Sequence, residues 1–315
     1  MKQIFFFLFA FGTPLVTLAH VKWFAQEIVP MPAYQITDPR VLLIILSGLV
    51  LFFIGIFLEH KISVPQKVTM FMERTAPFVL SLASIGFGLA FIIFTIQGFI
   101  FAPNLPAQGT LGLVMLGIQG IAGIMILLGF YERIGGFLIL FLFILGIAQY
   151  GSFEMLDTLE MVGFAGYAMI VGRPKWHIAD SGWLEKITHH VHAYGYPLLR
   201  IGTGVNLIVL GFTEKILAPS LTQNFLTTHH WNFLQSVGVS DYWFAFTAGS
   251  VEILFGIFFV FGLVTRMTTI ALACFLVTTL YLLGPVELIG HLPHFSIALV
   301  LLVLGSGSRF VFGKK

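Results

Sequence analysis

Ten long apolar runs, joined by short connections that hold nearly all of the charge, constrain this chain more than any motif in it. They cover residues 4–19, 41–58, 76–102, 111–130, 134–148, 156–171, 199–217, 244–264, 267–283 and 292–304. The hydrocarbon core of a bilayer is roughly 30 Å thick and takes about 20 helical residues to cross. Several runs are shorter, but each extends through small or weakly polar neighbours, and Gly and Pro punctuate their ends. Membrane strands fit poorly, because the runs do not alternate between apolar and polar residues. The chain therefore reads as an all-α, polytopic helical membrane protein of about ten transmembrane helices. Composition agrees: 58% of the 315 residues are apolar and 10% charged, whereas soluble domains carry roughly a quarter charged residues. A net charge of +2 with no basic face removes nucleic acid as a partner and leaves the lipid bilayer. The lone cysteine, Cys274, cannot form an intrachain disulfide or a CxxC pair and is expected to be an inert buried thiol.

Basic residues set an orientation. Connections after the second, fourth, sixth and eighth runs hold Lys61, Lys67, Arg74, Arg133, Arg173, Lys175, Lys186 and Arg266, and the two ends add Lys2, Arg309, Lys314 and Lys315. The opposite connections hold only Lys22 and Arg40. By the positive-inside rule this puts the even connections and both termini in the cytoplasm of a bacterial inner membrane. Residues 1–19 also fit a signal peptide cleaved before His20. Retention as a first span is the expectation, and cleavage would leave nine spans with an outer start.

A repeat runs through the chain. Gln119, Gly123, Gly129, Arg133 and Gly172 align with Glu252, Gly256, Gly262, Arg266 and Gly305 at a constant offset of 133 residues, and Ala102-Pro103 aligns with Ala218-Pro219 at an offset of 116. The organisation expected is a two-span extension (1–75), a first four-helix unit (76–172), a cytoplasmic amphipathic linker (173–196) and a second four-helix unit (197–315). An even helix number makes the units parallel.

The second unit carries Leu199-Arg200-Ile201-Gly202, Gly211-Phe212-Thr213-Glu214-Lys215-Ile216, Pro219, Glu252-Ile253-Leu254-Phe255-Gly256 and Gly262-Leu263-Val264-Thr265-Arg266. Across residues 197–309 it resembles the DoxX/DoxD family of small four-helix membrane proteins, which includes the small subunit of a thiosulfate:quinone oxidoreductase. The resemblance implies membrane redox chemistry or a quinone-linked complex. The first unit departs from the pattern, with Gln119 in place of the glutamate and no counterpart of Lys215, and so is expected to be a degenerate, scaffold-like copy.

Glu252 is the sharpest candidate, because an uncompensated charge deep in a span costs on the order of 2.5–3.5 kcal/mol on insertion scales. It must face the bundle and be paired or protonated. Lys215 and Glu214 end the preceding span on the same side of the membrane. His291 and His294 flank the expected start of the last span, with Pro293 read as its first-turn proline. Histidine can carry a proton, hydrogen-bond a quinone oxygen or bind a metal. The 220–243 connection, with His229, His230 and Trp231, suits a short interfacial helix that lids the pocket. Arg133 and Arg266 are expected to anchor matching hairpins to lipid phosphates. No nucleotide, zinc-protease or cysteine-ligand motif is present. A bound metal is not expected, and haem is disfavoured because no histidine is expected at mid-membrane.

These residues support a protein of quinone-linked redox metabolism that binds a quinone or small apolar substrate near the outer face. Glu252 would relay a proton, Lys215 would set its ionisation and His291 or His294 would hydrogen-bond the quinone oxygen. Arg200, Glu214 and Trp231 would complete the binding site. A membrane or periplasmic redox protein would supply electrons. Two alternatives stay open: a non-catalytic subunit or scaffold of a redox or metal-handling complex, and a small-molecule carrier.

Overall fold

The computed structural model describes residues 31–180 and 182–312. The run at 4–19 and its possible cleavage lie outside them. The described residues are helical with no β-strand, as backbone groups in lipid require of any segment that cannot close into a barrel. Among the described residues, eight helical segments are long and apolar enough to cross a membrane. The chain is an integral, multi-pass membrane protein.

Helix α1 is Pro39–Lys61, opened by Asp38 accepting from the Arg40 amide and by a proline at its first position. Helices α2 (Gln66–Gln97), α3 (Gly109–Leu128) and α4 (Glu132–Tyr150) follow. Helix α5 (Leu159–Ile170) is reached through a helical turn, Ser152–Met155, and a 3-10 turn, Leu156–Thr158. A short helix α6 (Gly182–Thr188) lies in the linker, with Trp183 and Ile187 exposed. Helix α7 (Gly195–Leu210) runs into a π-helical segment, Gly211–Leu217. Then come α8 (Pro219–His229), α9 (Asp241–Phe261), α10 (Thr265–Leu283) and α11 (Pro285–Leu304).

Three boundaries differ from the sequence reading. Helix α2 starts ten residues before position 76, so the division at 75/76 falls inside a helix; Gln66, Lys67, Glu73 and Arg74 are good helix formers that a search for apolar runs passes over. The run at 156–171 is broken near Thr158 and leaves only twelve residues of α-helix. Helix α11 starts at Pro285, not near residue 292, so Pro293 lies inside it and His291 and His294 stand well along the helix. Pro285 already supplies the first-turn proline, and Pro293 is tolerated as prolines in membrane helices are. Cys274 is exposed on α10, not buried in protein.

The helices pack in a closed circuit. Helix α2 packs on α3, α3 on α4, α4 on α5, α5 on α7, α7 on α9, α10 on α11, and α11 back on α2; α9 and α10 touch at few points, and α1 lies against α9. Small residues permit the closest crossings, as is usual between membrane helices. A Cβ on Gly88 of α2 would stand 2.8 Å from the Gly123 carbonyl oxygen of α3, and one on Gly204 of α7 would stand 2.6 Å from the Gly256 carbonyl oxygen of α9. A Cβ on Gly202 of α7 would likewise stand 2.8 Å from the Gly163 Cα of α5.

Backbone features recur at the offsets found in the sequence. Tyr131 and Val264, 133 apart, both enter the next helix with positive φ, 51° and 39°. Arg133 reaches the Ile170 and Val171 carbonyls at 2.5 and 3.0 Å, and Arg266 reaches those of Leu302 and Val303 at 3.0 Å each. Both arginines therefore cap the C-terminus of the last helix of their segment, where unpaired carbonyls and the helix dipole favour a cation. This replaces the expected role of lipid anchor. Arg133 is further held by the Thr188 hydroxyl at 2.9 Å and by Asp180 at 3.5 Å.

Candidate functional site

Glu252 sits near the middle of α9, deeper than its sequence position suggested. Its Oε2 lies 2.8 Å from Lys215 Nζ, and both side chains are largely buried. The π-helical segment presents Lys215: such segments widen a helix by one residue per turn and re-aim its side chains. Here the segment packs tightly on α9, since a Cβ on Gly211 would fall 2.7 Å from the Gly249 carbonyl oxygen. Glu214, also buried, is on the same segment, and its backbone carbonyl accepts from the Thr222 hydroxyl of α8.

The pair opens on a cavity of about 110 Å³ bounded by the end of α7, the π segment, α8, α9, α10 and α11. Of the seven residues expected in the site, six line it: Glu252, Lys215, His291, His294, Glu214 and Trp231. Arg200 does not. It is buried under Gly262 and donates to the Phe310 carbonyl at 2.7 Å, which makes it a clamp on the segment after α11. His229 borders a smaller neighbouring cavity with Trp231, and His230 closes α8 with a positive φ of 51°.

Helix α8 covers one end of the pocket, as expected of the connection that contains it. Phe225 and Leu226 point inward. The indole of Trp231 stands 5.4 Å from Phe225 and 5.3 Å from Phe275 of α10, while Phe233 meets Phe244 of α9 at 5.1 Å. The lid thus spans the gap between α9 and α10 at its end. These two helices touch at few points, and Phe244, Ala248, Leu272, Phe275 and Leu276 line the pocket on their side.

The histidines stand opposite the ion pair, each beside a carboxylate. His291 Nδ1 is 3.0 Å from Glu287, one helical turn away, and His294 Nε2 is 3.0 Å from Glu160 of α5. Their rings are 5.1 Å apart. Haem was set aside on the expectation that no histidine lies at mid-span, yet His294 is near the middle of α11; its Nε2 is engaged by Glu160. No group of three or more His, Cys, Asp or Glu among the described residues is placed to hold a metal ion.

Two of these partners were missed in the sequence. Glu287, four residues before His291, was visible as an i, i+4 pair once helix α11 is known to start at Pro285. Glu160 had no such signal, because it arrives from a helix more than a hundred residues earlier in the chain.

The matching position in the first segment is built differently. Gln119, aligned with Glu252, accepts from the Phe101 amide at 2.8 Å and donates to the Phe99 carbonyl at 2.8 Å and the Thr95 hydroxyl at 3.1 Å. The 98–106 turn folds inward, with Ile100, Phe101 and Leu105 fully buried. The corresponding space is filled by the chain's own backbone, whose polar groups a neutral amide satisfies.

A larger cavity of about 620 Å³ lies between α1, the π segment and α9. Its walls are apolar apart from Tyr34 and Ser250, so it offers no acid–base chemistry.

Residues 195–285 match the family model described as DoxX. The match covers Arg200, Glu214, Lys215, Trp231 and Glu252 and stops before His291 and His294. No curated protein and no solved structure matches the chain.

Proposed function

We propose that this membrane protein, with its DoxX segment, binds a lipid-soluble quinone or a comparably small apolar carbonyl compound in the pocket around Glu252. We place the pocket near the outer face of a bacterial inner membrane, in a protein of quinone-linked redox metabolism. The observation that carries the reading is the convergence of an acid–base pair and two carboxylate-paired histidines on one cavity with apolar walls. Ligand pockets have this composition: mostly apolar lining, with a few polar groups that fix orientation.

Size and access narrow the ligand. Pockets that enclose drug-sized molecules hold roughly 300–1,000 Å³, and this one holds about 110 Å³. It admits a headgroup and leaves any chain to lie between α9 and α10, toward the lipid. A quinone has that shape. In the proposed complex the Lys215 ammonium polarises a carbonyl oxygen, Glu252 exchanges a proton with it, and a histidine hydrogen-bonds the opposite oxygen. A membrane or periplasmic redox protein exchanges the electrons. The two segments form parallel four-helix units, the first of which serves as the scaffold.

Purification with native lipids, followed by extraction and identification of bound molecules, tests this. Quinone should accompany the wild-type protein and be depleted at least tenfold in Glu252→Gln. Equal quinone in the two preparations, or none in either, contradicts the proposal.

A further inference from the structure

The 620 Å³ cavity between α1, the π segment and α9 is a groove with one open side. Ile45 and Leu49 of α1, Phe212 of the π segment and Phe261 of α9 line it, yet remain 42–51% exposed. Around a membrane-spanning chain, that side meets lipid. The two polar groups in its walls are already committed. The Tyr34 hydroxyl donates to the Tyr242 carbonyl at 2.7 Å, and the Ser250 hydroxyl to the Phe246 carbonyl at 2.8 Å. Water needs two or more polar partners to stay in a cavity, and an empty groove forfeits the dispersion contacts of its walls. The groove therefore calls for an apolar occupant.

Its dimensions narrow the choice. From Val41 to Phe52 it follows α1 for about 17 Å, at 1.5 Å per residue. One leaflet of hydrocarbon is similar, about 15 Å deep. Over that length 620 Å³ gives a cross-section of about 36 Å², against roughly 80–110 Å² for a helix with its side chains. An extended chain fits and a helix does not. The end at Tyr34 is built like a membrane interface, where aromatic rings sit at headgroup level. The rings of Tyr34 and Trp243 are 5.9 Å apart, and the exposed guanidinium of Arg40 stands 5.1 Å from the Trp243 ring centre. Asp38, its acidic neighbour, caps α1 through the Arg40 amide.

We propose that the groove seats one acyl chain of a phospholipid whose phosphate pairs with Arg40. A guanidinium fork matches phosphate, and a phosphate joined to an extended hydrocarbon chain satisfies both ends of the groove. The seat also backs the wall of the Glu252 pocket. Phe212 and Ile216 of the π segment line the groove while Glu214 and Lys215 line the pocket; on α9, Ser250 and Ile253 line the groove while Ala248 and Glu252 line the pocket. The lipid thus supports from behind the two elements that carry the ion pair, and ties α1 to both. The seat stands whatever the Glu252 pocket binds.

Native mass spectrometry of the full chain in detergent, with dioleoyl phosphatidylglycerol added and then exchanged away, tests the proposal. Wild type should retain one phospholipid. Gly48 lines the groove and a Cβ there would meet nothing within 4 Å, so Gly48→Phe fills the space. It should lower retention at least tenfold, and Arg40→Gln at least threefold. Dioleoylglycerol, which has the chains without the phosphate, should be retained at least threefold less than phosphatidylglycerol. If Gly48→Phe does not fold, Ser250→Leu fills the groove from the facing wall and should show the same loss. Undiminished retention in the folded groove variant, or no phospholipid on wild type, overturns the proposal; equal retention of dioleoylglycerol overturns the pairing with Arg40. A benzophenone side chain in place of Phe52 should photo-crosslink to phospholipid. A crosslink to a quinone, or to residues 1–30 of the chain itself, overturns the choice of occupant.

Discussion

Lys215 and Glu252 carry opposite charges close together in a place where neither would persist alone. Replacing one partner leaves the other buried and uncompensated, which costs about 3–5 kcal/mol for buried pairs. Lys215→Met should therefore lower the unfolding free energy in detergent by about that amount, and Lys215→Met with Glu252→Gln should recover most of it. A double-mutant cycle with coupling below about 0.5 kcal/mol would show that the 2.8 Å contact is not an energetic pair. The pair was legible in the sequence because a charge inside an apolar run stands out, and hydrocarbon demands company for it. Glu160 was not legible: it lies at the start of a short helix, just after a break, and only the tertiary packing that sets α5 against α7 brings it to His294. Arg200 misled for the converse reason. A buried arginine in a matching motif looks like a ligand group, while its geometry serves the Phe310 carbonyl.

Among elements, the crossings at glycine and the arginine caps determine how the site is held. Gly204→Ala puts a methyl group against the backbone of Gly256 and Val260, which cannot yield as a flexible side chain would. Overpacking of this kind costs about 1–3 kcal/mol. It should also separate α7 from α9 and loosen the Lys215–Glu252 contact. Thermal melts of Gly204→Ala that match wild type would contradict this account of the crossing. The two arginine caps differ in support. Arg133 has Thr188 and Asp180 in addition to its carbonyls, so Arg133→Ala should destabilise more than Arg266→Ala, by roughly 1.5–3 kcal/mol for each charged hydrogen bond lost. The reverse order in melting temperature would refute it. Apolar runs located the helices well but not their polar starts. The first turn of α2 is helical by propensity and that of α11 begins on Pro285, which a count of apolar residues does not register.

For the molecule as a whole, basic residues gather in connections that leave the opposite set almost without them. The lid at residues 219–240 should accordingly face outward, and the turn at 62–65 should face the cytoplasm. In a Cys274→Ala background, an impermeant maleimide applied to intact spheroplasts should label Gly238→Cys but not Ser63→Cys, and permeabilisation should reveal the latter. Labelling of Ser63→Cys in intact spheroplasts would invert the topology and move the pocket to the other face. The order of helices around the circuit could not be read from the chain, because apolar runs in lipid carry no marker of their neighbours. The most direct test of the central claim is titration of purified protein with ubiquinone-1, read by quenching of Trp231, which lines the pocket. Saturable quenching is expected in wild type. It should disappear in Trp231→Phe and weaken at least tenfold in a folded Glu252→Gln variant. Quenching of equal affinity with and without the Glu252 carboxylate would contradict a quinone site built on that residue.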